Sequence, residues 1–465
     1  MPIALVEFSR IEQNEKGHAL TNGQSGFADA LQKQKDAIAR YISQGVEHSC
    51  GECIGMELEH FVVTKNKHDY VPFLDDPVTG LPGVQSVLER LRPFYSHAVH
   101  ETQADGSKVL LGLSREYASI SLEPGAQLEV SLGPVLDIPD LEDLYRDFRK
   151  EIDPILDELG LEMLELGYHP SICARDIPLL PKSRYRFMNE HFKHTGKHGI
   201  CMMRATAATQ VSIDFNSEED AIEKFKVAHA LSPLLAFITD NSPVFELEPI
   251  GSNTLCTTGL SIPKRMVRTA VWNDVDATRS NTPPGTFEEG FCFDSYALNI
   301  LLAPAIFSVE YDSQTGKRSI DQAGRSVMEV YADKQLDRIT IELILSLYFY
   351  DVRFKTYLEI RAADALPIDY ALSYVALLKG IFYNKKTLAD LVIRFSGLTA
   401  QDIVTAKQNL TEHAFTADVY GKSAQNWLDE LLICAENSLL DHERAYLKPL
   451  GELIRNSKCL TMLQK

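Results

Sequence analysis

Three stretches of the chain alternate between apolar and polar positions. In "GMELEHFVV" (55–63), Glu57, Glu59 and Phe61 share one parity, while Met56, Leu58 and His60 share the other. In "ATQVSIDF" (208–215), Gln210, Ser212 and Asp214 oppose Val211, Ile213 and Phe215. In "VRFKTYLEIRAAD" (352–364), Arg353, Lys355, Tyr357, Glu359 and Arg361 alternate with Phe354, Thr356, Leu358 and Ile360. Successive strand side chains point to opposite faces, so each run predicts a half-buried strand. A fourth strand-like run, "SISLEPGAQLEVS" (119–131), carries Glu123, Gln127 and Glu129 on one parity.

Helical spacing appears between these runs. Residues 27–45 have an apolar stripe and end at Gly45. Residues 141–159 line up Leu141, Leu144, Tyr145, Phe148, Ile152 and Ile155, with Pro154 expected to kink the helix and Gly160 to stop it. Ser217 followed by Asp220 is a capping pattern opening a third helix. From about residue 366 the pattern turns helical, whereas 274–290 is turn-rich and reads as a mobile loop. The fold class is α+β: an antiparallel sheet with helices packed on one side. Three parts are expected: an N-terminal helical segment (1–48), a catalytic domain (49–374) and a helical C-terminal part (375–465) packed on it.

Composition narrows the function. A net charge of −19 argues against nucleic acid or an anionic membrane as the main partner. No window approaches ~18 uninterrupted apolar residues. The start, "MPIALVEFSRIEQNEK", lacks a basic region and a cleavage site, which predicts a cytoplasmic protein. Eight scattered cysteines do not suggest a secreted scaffold. Cys50 and Cys53 in "CGEC" read as incidental thiols, with a redox pair or half a zinc site as the alternatives. His191, His194 and His198 read as a solvated loop.

The acids carry the chemistry. Glu57, Glu59, Glu123, Glu129 and Glu359 sit on the polar parity of three runs, and adjacency of those strands would bring five carboxylates to one basin. Such a cluster shifts its pKa values upward or recruits cations. Oxygen-only ligands select magnesium or manganese, and Gln210 can add an amide oxygen. Arg353, Lys355 and Arg361 flank Glu359, a pattern suited to metal-bridged phosphate. The competing reading is a solvated sheet face with charges for solubility alone.

The same strings resemble glutamate–cysteine ligases of the plant and proteobacterial type, among the glutamine synthetase-like carboxylate–amine ligases. "SISLEPGAQLEVS" is similar to the family's ISLEPGGQFELS, with Ala126 in place of a glycine. "IGMELEHF", "DIPLLPKSRYRFM", "MMRATAATQVSIDFNSEEDAIEKF", "VWNDVDATRS" and "VRFKTYLEIRAADALP" resemble family motifs in the same order between residues 50 and 380. "GYHPSICARDIP" and residues 303–335 depart from the pattern.

This resemblance implies a curved sheet of about six strands with helices on its convex side. It places Glu57, Glu59, Glu123, Glu129, Gln210 and Glu359 at metal-binding positions and Arg361 on the transferred phosphate, with Lys355 a further candidate. It puts Arg184, Arg268, Trp272 and Arg279 in segments lining the amino-acid pocket. The implied reaction joins the γ-carboxylate of glutamate to the amine of cysteine through a γ-glutamyl phosphate. It uses ATP and Mg2+ (or Mn2+), and either a monomer or a homodimer would serve. A different amine acceptor, a two-carboxylate glycoside hydrolase and a catalytically silent binding protein are the other readings. ATP and magnesium dependence separates the ligases from the last two.

Overall fold

The computed structural model describes residues 22–103, 106–251, 255–312, 317–322 and 324–463. Much of the expected 1–48 segment, including the stretch read for targeting, lies outside them. In chain order the elements that build the site begin with helix α1 (Asn22–His48) and strand β1 (Ile54–Thr64). Strands β2 (His97–Thr102), β3 (Lys108–Arg115), β4 (Ala118–Leu122) and β5 (Leu128–Val135) follow. Next come helix α2 (Ile138–Leu159), strand β6 (Leu161–Leu164), helix α3 (Ser183–Thr195), strand β7 (Ala208–Ile213) and helices α4 (Glu218–Ile238) and α5 (Val267–Trp272). Strands β8 (Val352–Phe354) and β9 (Leu358–Asp364) and helix α6 (Ile368–Phe382) complete the frame.

The strands form one nine-stranded sheet in the order β8–β9–β7–β1–β5–β4–β3–β2, with β6 also on β1. Every pairing in it is antiparallel. Six strands were expected. The additional ones lack strict alternation: β2 is largely exposed at the edge, β3 is a near-continuous apolar run, and β6 has four residues.

One parity of the central strands is sealed. Met56, Leu58, Val130, Leu132, Val211, Ile213, Leu358 and Ile360 are each 3% exposed or less. Helices α2, α4 and α6 pack against the central strands that carry them, and each fully buried side chain contributes about 1.5–3 kcal/mol. Further helices after residue 382 pack on α6. The opposite parity carries the polar residues, because a period of two leaves them no other face.

Several expectations change. The run 119–131 is a hairpin and not one strand: Glu123 N–H donates to the Gln127 carbonyl and Ala126 N–H to that of Glu123. Gln127 is buried by this turn, its amide accepting from Gly125 N–H and donating to the Thr206 carbonyl, so it belongs to the scaffold. The run 352–364 also folds back, with Lys355–Tyr357 between β8 and β9 and Arg353 opposite Glu359. Gly45 does not end α1, which continues to His48. A Cβ there would lie 2.2 Å from the Thr356 carbonyl oxygen, so the position permits close approach and not a stop. Gly160 does close α2, at φ 70°, and the helix runs on through Pro154.

Residues 274–290 are pinned and not a free loop. Asp276 accepts from the His191 ring and from Arg279 Nε, both at 2.7 Å, and Ser280–Asn281 pairs with Phe349–Tyr350. His191 and His194 therefore belong to α3, and His198 faces Asp274 at 3.3 Å, instead of forming a solvated loop. Cys50 and Cys53 are joined as a disulfide just before β1, not left as incidental thiols. No helix among the described residues is long and apolar enough to cross a membrane.

Candidate active site

The register places the acids on one sheet face. Glu59 of β1 lies directly opposite Glu129 of β5, and Glu57 stands between Ser131 of β5 and Gln210 of β7. Glu123 leaves the end of β4 beside them. Ser121 donates to Glu129 at 2.7 Å, and Glu59 accepts from Ala208 N–H at 2.9 Å and from the Gln210 amide. Opposed like charges repel, and burial adds to the cost. Glu57 is held up at about 7 by burial, with Glu129 and Glu359 adding to it against Lys355. Glu59 lies well above its ordinary range through burial and then Glu123 and Glu129; Glu129 is raised by burial and Glu123.

Glu359 differs from the other four. It is fully buried and meets Arg353 and Lys355 at 2.7 Å and Arg361 at 2.9 Å. Burial would raise its pKa, but the three cations outweigh it and hold the carboxylate well below its usual range. The sequence pattern grouped it with the cation-seeking acids, and the hairpin at Lys355–Tyr357 gives it partners of its own. Among the described residues, no three of the basin's acids bring ligating oxygens within 4.8 Å of one another.

Cationic and aromatic donors border it. Arg268, 6% exposed, donates through Nη1 to the Arg361 carbonyl at 2.9 Å and lies over the Trp272 ring. Arg268 Nε, Trp272 Nε1, Arg184 Nε and Gln210 Oε1 are buried and have no hydrogen-bond partner. Unpartnered buried polar atoms are costly, so four around one basin point to a polar ligand. Arg279 stands apart: Asp276, the Leu347 carbonyl and the Pro304 carbonyl take its three nitrogens, and the pocket-lining place expected for it gives way to a structural one.

Sequence reading missed Lys182. It rests 5.0 Å from the Tyr185 ring centre, and its ammonium is lowered to about 8 by burial and by Arg184, against the pull of Glu123, Glu101 and Glu129. It stood within the quoted "PKSRY" motif, but nothing in its spacing aimed it at the acids. Two cavities adjoin the basin. One, of about 410 Å³, is lined by Glu57, Ser119, Ser131, Ser212, Tyr357 and Cys53. The other, of about 1020 Å³, runs past Ser121, Lys182, Arg184, Glu101 and Phe187. Both are of ligand-binding size.

A family model, glutamate–cysteine ligase family 2, matches residues 53–459. The chain belongs to that family. It is thus an enzyme, an ATP-dependent carboxylate–amine ligase. Curated relatives agree: glutamate–cysteine ligase B of Oryza sativa subsp. japonica is 29% identical over 352 residues, covering 74% of this chain and 67% of the relative. The Arabidopsis thaliana enzyme is 28% identical over 391 residues, 81% of this chain and 69% of its own. That of Nicotiana tabacum is 31% identical over 300 residues, 63% and 54% respectively.

These relatives are named as chloroplastic, which overturns the cytoplasmic placement expected from the first residues. A solved glutamate–cysteine ligase of Francisella tularensis in complex with AMP aligns with 89% of this chain and 84% of its own. Its identity is 14% and its TM-score 0.49.

Proposed function

We propose that this glutamate–cysteine ligase family member activates the γ-carboxylate of glutamate as a γ-glutamyl phosphate and passes it to the amine of cysteine. The observation that carries the reading is the juxtaposition of four orphaned buried polar atoms, on Arg184, Arg268, Trp272 and Gln210, with opposed carboxylates at Glu59 and Glu129. A substrate with its own carboxylates gives the arginines their missing acceptors.

In this reading Arg268 and Arg184 hold the carboxylates of glutamate, with Trp272 closing one side. The adenosine of ATP lies in the cavity lined by Ser119, Ser131, Ser212 and Tyr357, beside Glu57. Its γ-phosphate then faces the Lys355–Arg361 end of the β8–β9 hairpin. The glutamate γ-oxygen attacks the γ-phosphorus and the bond to ADP breaks. Arg361 offsets charge on the transferring group, a role worth about 10²–10³-fold in comparable electrostatic sites. The cysteine amine attacks the activated carbonyl and inorganic phosphate departs.

Glu57, Glu59, Glu123, Glu129 and the orphaned Gln210 oxygen form an all-oxygen donor set that fits magnesium or manganese. Bound there, such an ion would neutralise phosphate and carboxylate charge that otherwise repel. Glu359, saturated by three cations, is the least suited of the expected ligands and instead orients Arg361 and Lys355. We assign catalysis to the expected 49–374 part; α6 runs across the boundary expected at 374/375, and the helices after residue 382 buttress the sheet by packing on α6.

Phosphate release from ATP and magnesium, with glutamate and with or without cysteine, tests the reading when the product is weighed. Cysteine-dependent phosphate with a γ-glutamylcysteine mass supports it. ATP turnover with another amine and none with cysteine changes the acceptor, and no ATP turnover with any amine overturns it.

A further inference from the structure

A buried chain of contacts behind the candidate glutamate pocket ends on the C-terminal segment. Asp240 is 1% exposed, and its Oδ2 accepts from Met266 N–H at 3.1 Å. Met266 stands at φ 55°, a left-handed residue immediately before α5, the helix that carries Arg268 and Trp272. An L-residue holds that conformation only when its surroundings fix it, so the Asp240 contact sets where the helix begins. The guanidinium of Arg268 is tied in turn to the Arg361 carbonyl.

Asp364, three residues beyond Arg361, closes the circuit. Its Oδ2 accepts from Asn241 N–H at 2.9 Å and from the Ser242 hydroxyl at 2.7 Å. Gly167 lets the backbone pass this point, since a Cβ there would come within 2.3 Å of the same oxygen. The turn 240–242 thus links the start of α5 to the end of β9.

Thr461 holds that turn. Its backbone N–H and its hydroxyl both donate to the Asp240 carbonyl, at 3.0 and 2.9 Å, and the hydroxyl accepts from Ser242 N–H at 3.0 Å. Thr461 is 2% exposed and lies past residue 459, where the family match stops. We propose that Thr461 and Asp240 form a latch that positions Arg268 and Trp272 and thereby sets the affinity for the carboxylate-bearing donor substrate. Both are positioning residues, since neither touches the basin. The inference rests on the proposed glutamate role of Arg268.

Thr461→Val keeps the shape and removes the hydroxyl, and Thr461→Ser restores it. In the full chain, Thr461→Val is expected to raise KM for glutamate about fivefold to tenfold while kcat and KM for ATP stay within about twofold. Thr461→Ser should return KM to within about twofold of wild type. Amide exchange should speed up at residues 266–272 in Thr461→Val and remain unchanged in β1 and β5. An unchanged KM for glutamate, or a parallel loss in every parameter, overturns the latch. If wild type shows no glutamate-dependent ATP use, the reading of Arg268 falls instead. Exchange at 266–272 then decides, and unaltered protection there overturns the latch by itself.

Discussion

Glu129→Gln separates what the acidic basin does for folding from what it does for catalysis. Opposed residues on antiparallel strands have Cβ atoms ~4.5–5.5 Å apart, and Glu59 and Glu129 are such a pair in register. Two full charges about 5 Å apart at an effective dielectric of ~20 repel by about 3 kcal/mol. Partial protonation relieves some of that, leaving about 1–2 kcal/mol for the amide to return. Glutamine still accepts from the Ser121 hydroxyl, so no hydrogen bond is lost there.

The sign follows from the raised pKa of Glu129. A carboxyl raised in the folded state contributes stability that is complete below its ordinary value and lost as pH rises through the folded one. The variant lacks that loss, so its advantage should be absent near pH 4 and grow towards pH 8. With an unfolding entropy of ~2.1 cal/mol/K per residue, a chain of 465 residues shifts its Tm by about 1–2 °C. Thermal unfolding in magnesium-free buffer at both pH values, beside phosphate release with magnesium, makes the assay. The expected result is a more stable protein with turnover down at least about 100-fold. A midpoint at pH 8 equal to or below wild type, with wild-type turnover, would refute the reasoning.

Arg361→Ala should lower phosphate release about 100-fold and leave the Tm within a few degrees; unchanged release would remove it from the phosphate role. Arg353 is 6% exposed and donates to Glu359 and to the Tyr348 carbonyl, and Lys355 and Arg361 still neutralise Glu359 without it, so Arg353→Met should cost about 1–3 kcal/mol, read by denaturant unfolding. Ala126 sits at φ 65° in the β4–β5 turn, and Ala126→Gly should stabilise by about 1 kcal/mol, with a midpoint below wild type arguing that the turn is unstrained.

The parity of Glu57 and Glu59 was legible because a period of two survives any detail of pairing. So were the cap at Ser217, which accepts from Asp220 N–H, and the stop at Gly160. The reversals at 123–127 and 355–357 were not, because alternation on both sides of a tight turn looks like one longer strand. Missing the second turn hid the cation cluster around Glu359, since Arg353 reaches it across the hairpin and not along a strand. Arg279 shows another limit: a motif places a residue in a segment but says nothing of which carbonyls will claim its nitrogens. Thr461 and Asp240 are 221 positions apart, and nothing local marks either one.

The saturated carboxylate at Glu359 has an effect beyond its own neighbourhood. One anion facing Arg353, Lys355 and Arg361 leaves an excess of two positive charges at the hairpin end of the sheet. Glu57, Glu59, Glu123 and Glu129 stand a few strands away, and burial makes Glu57, Glu59 and Glu129 take up their negative charge only as pH rises through their raised values. The sheet face is thus an electric dipole that strengthens as pH rises, laid along its surface in a chain whose net charge of −19 repels free polyphosphate. Such a field orients a nucleotide before any contact forms, drawing its phosphate tail to one end and repelling it from the other. Reversing the charge at Lys355 would scramble that approach, and its first sign would be a slower association rate that falls less steeply with salt.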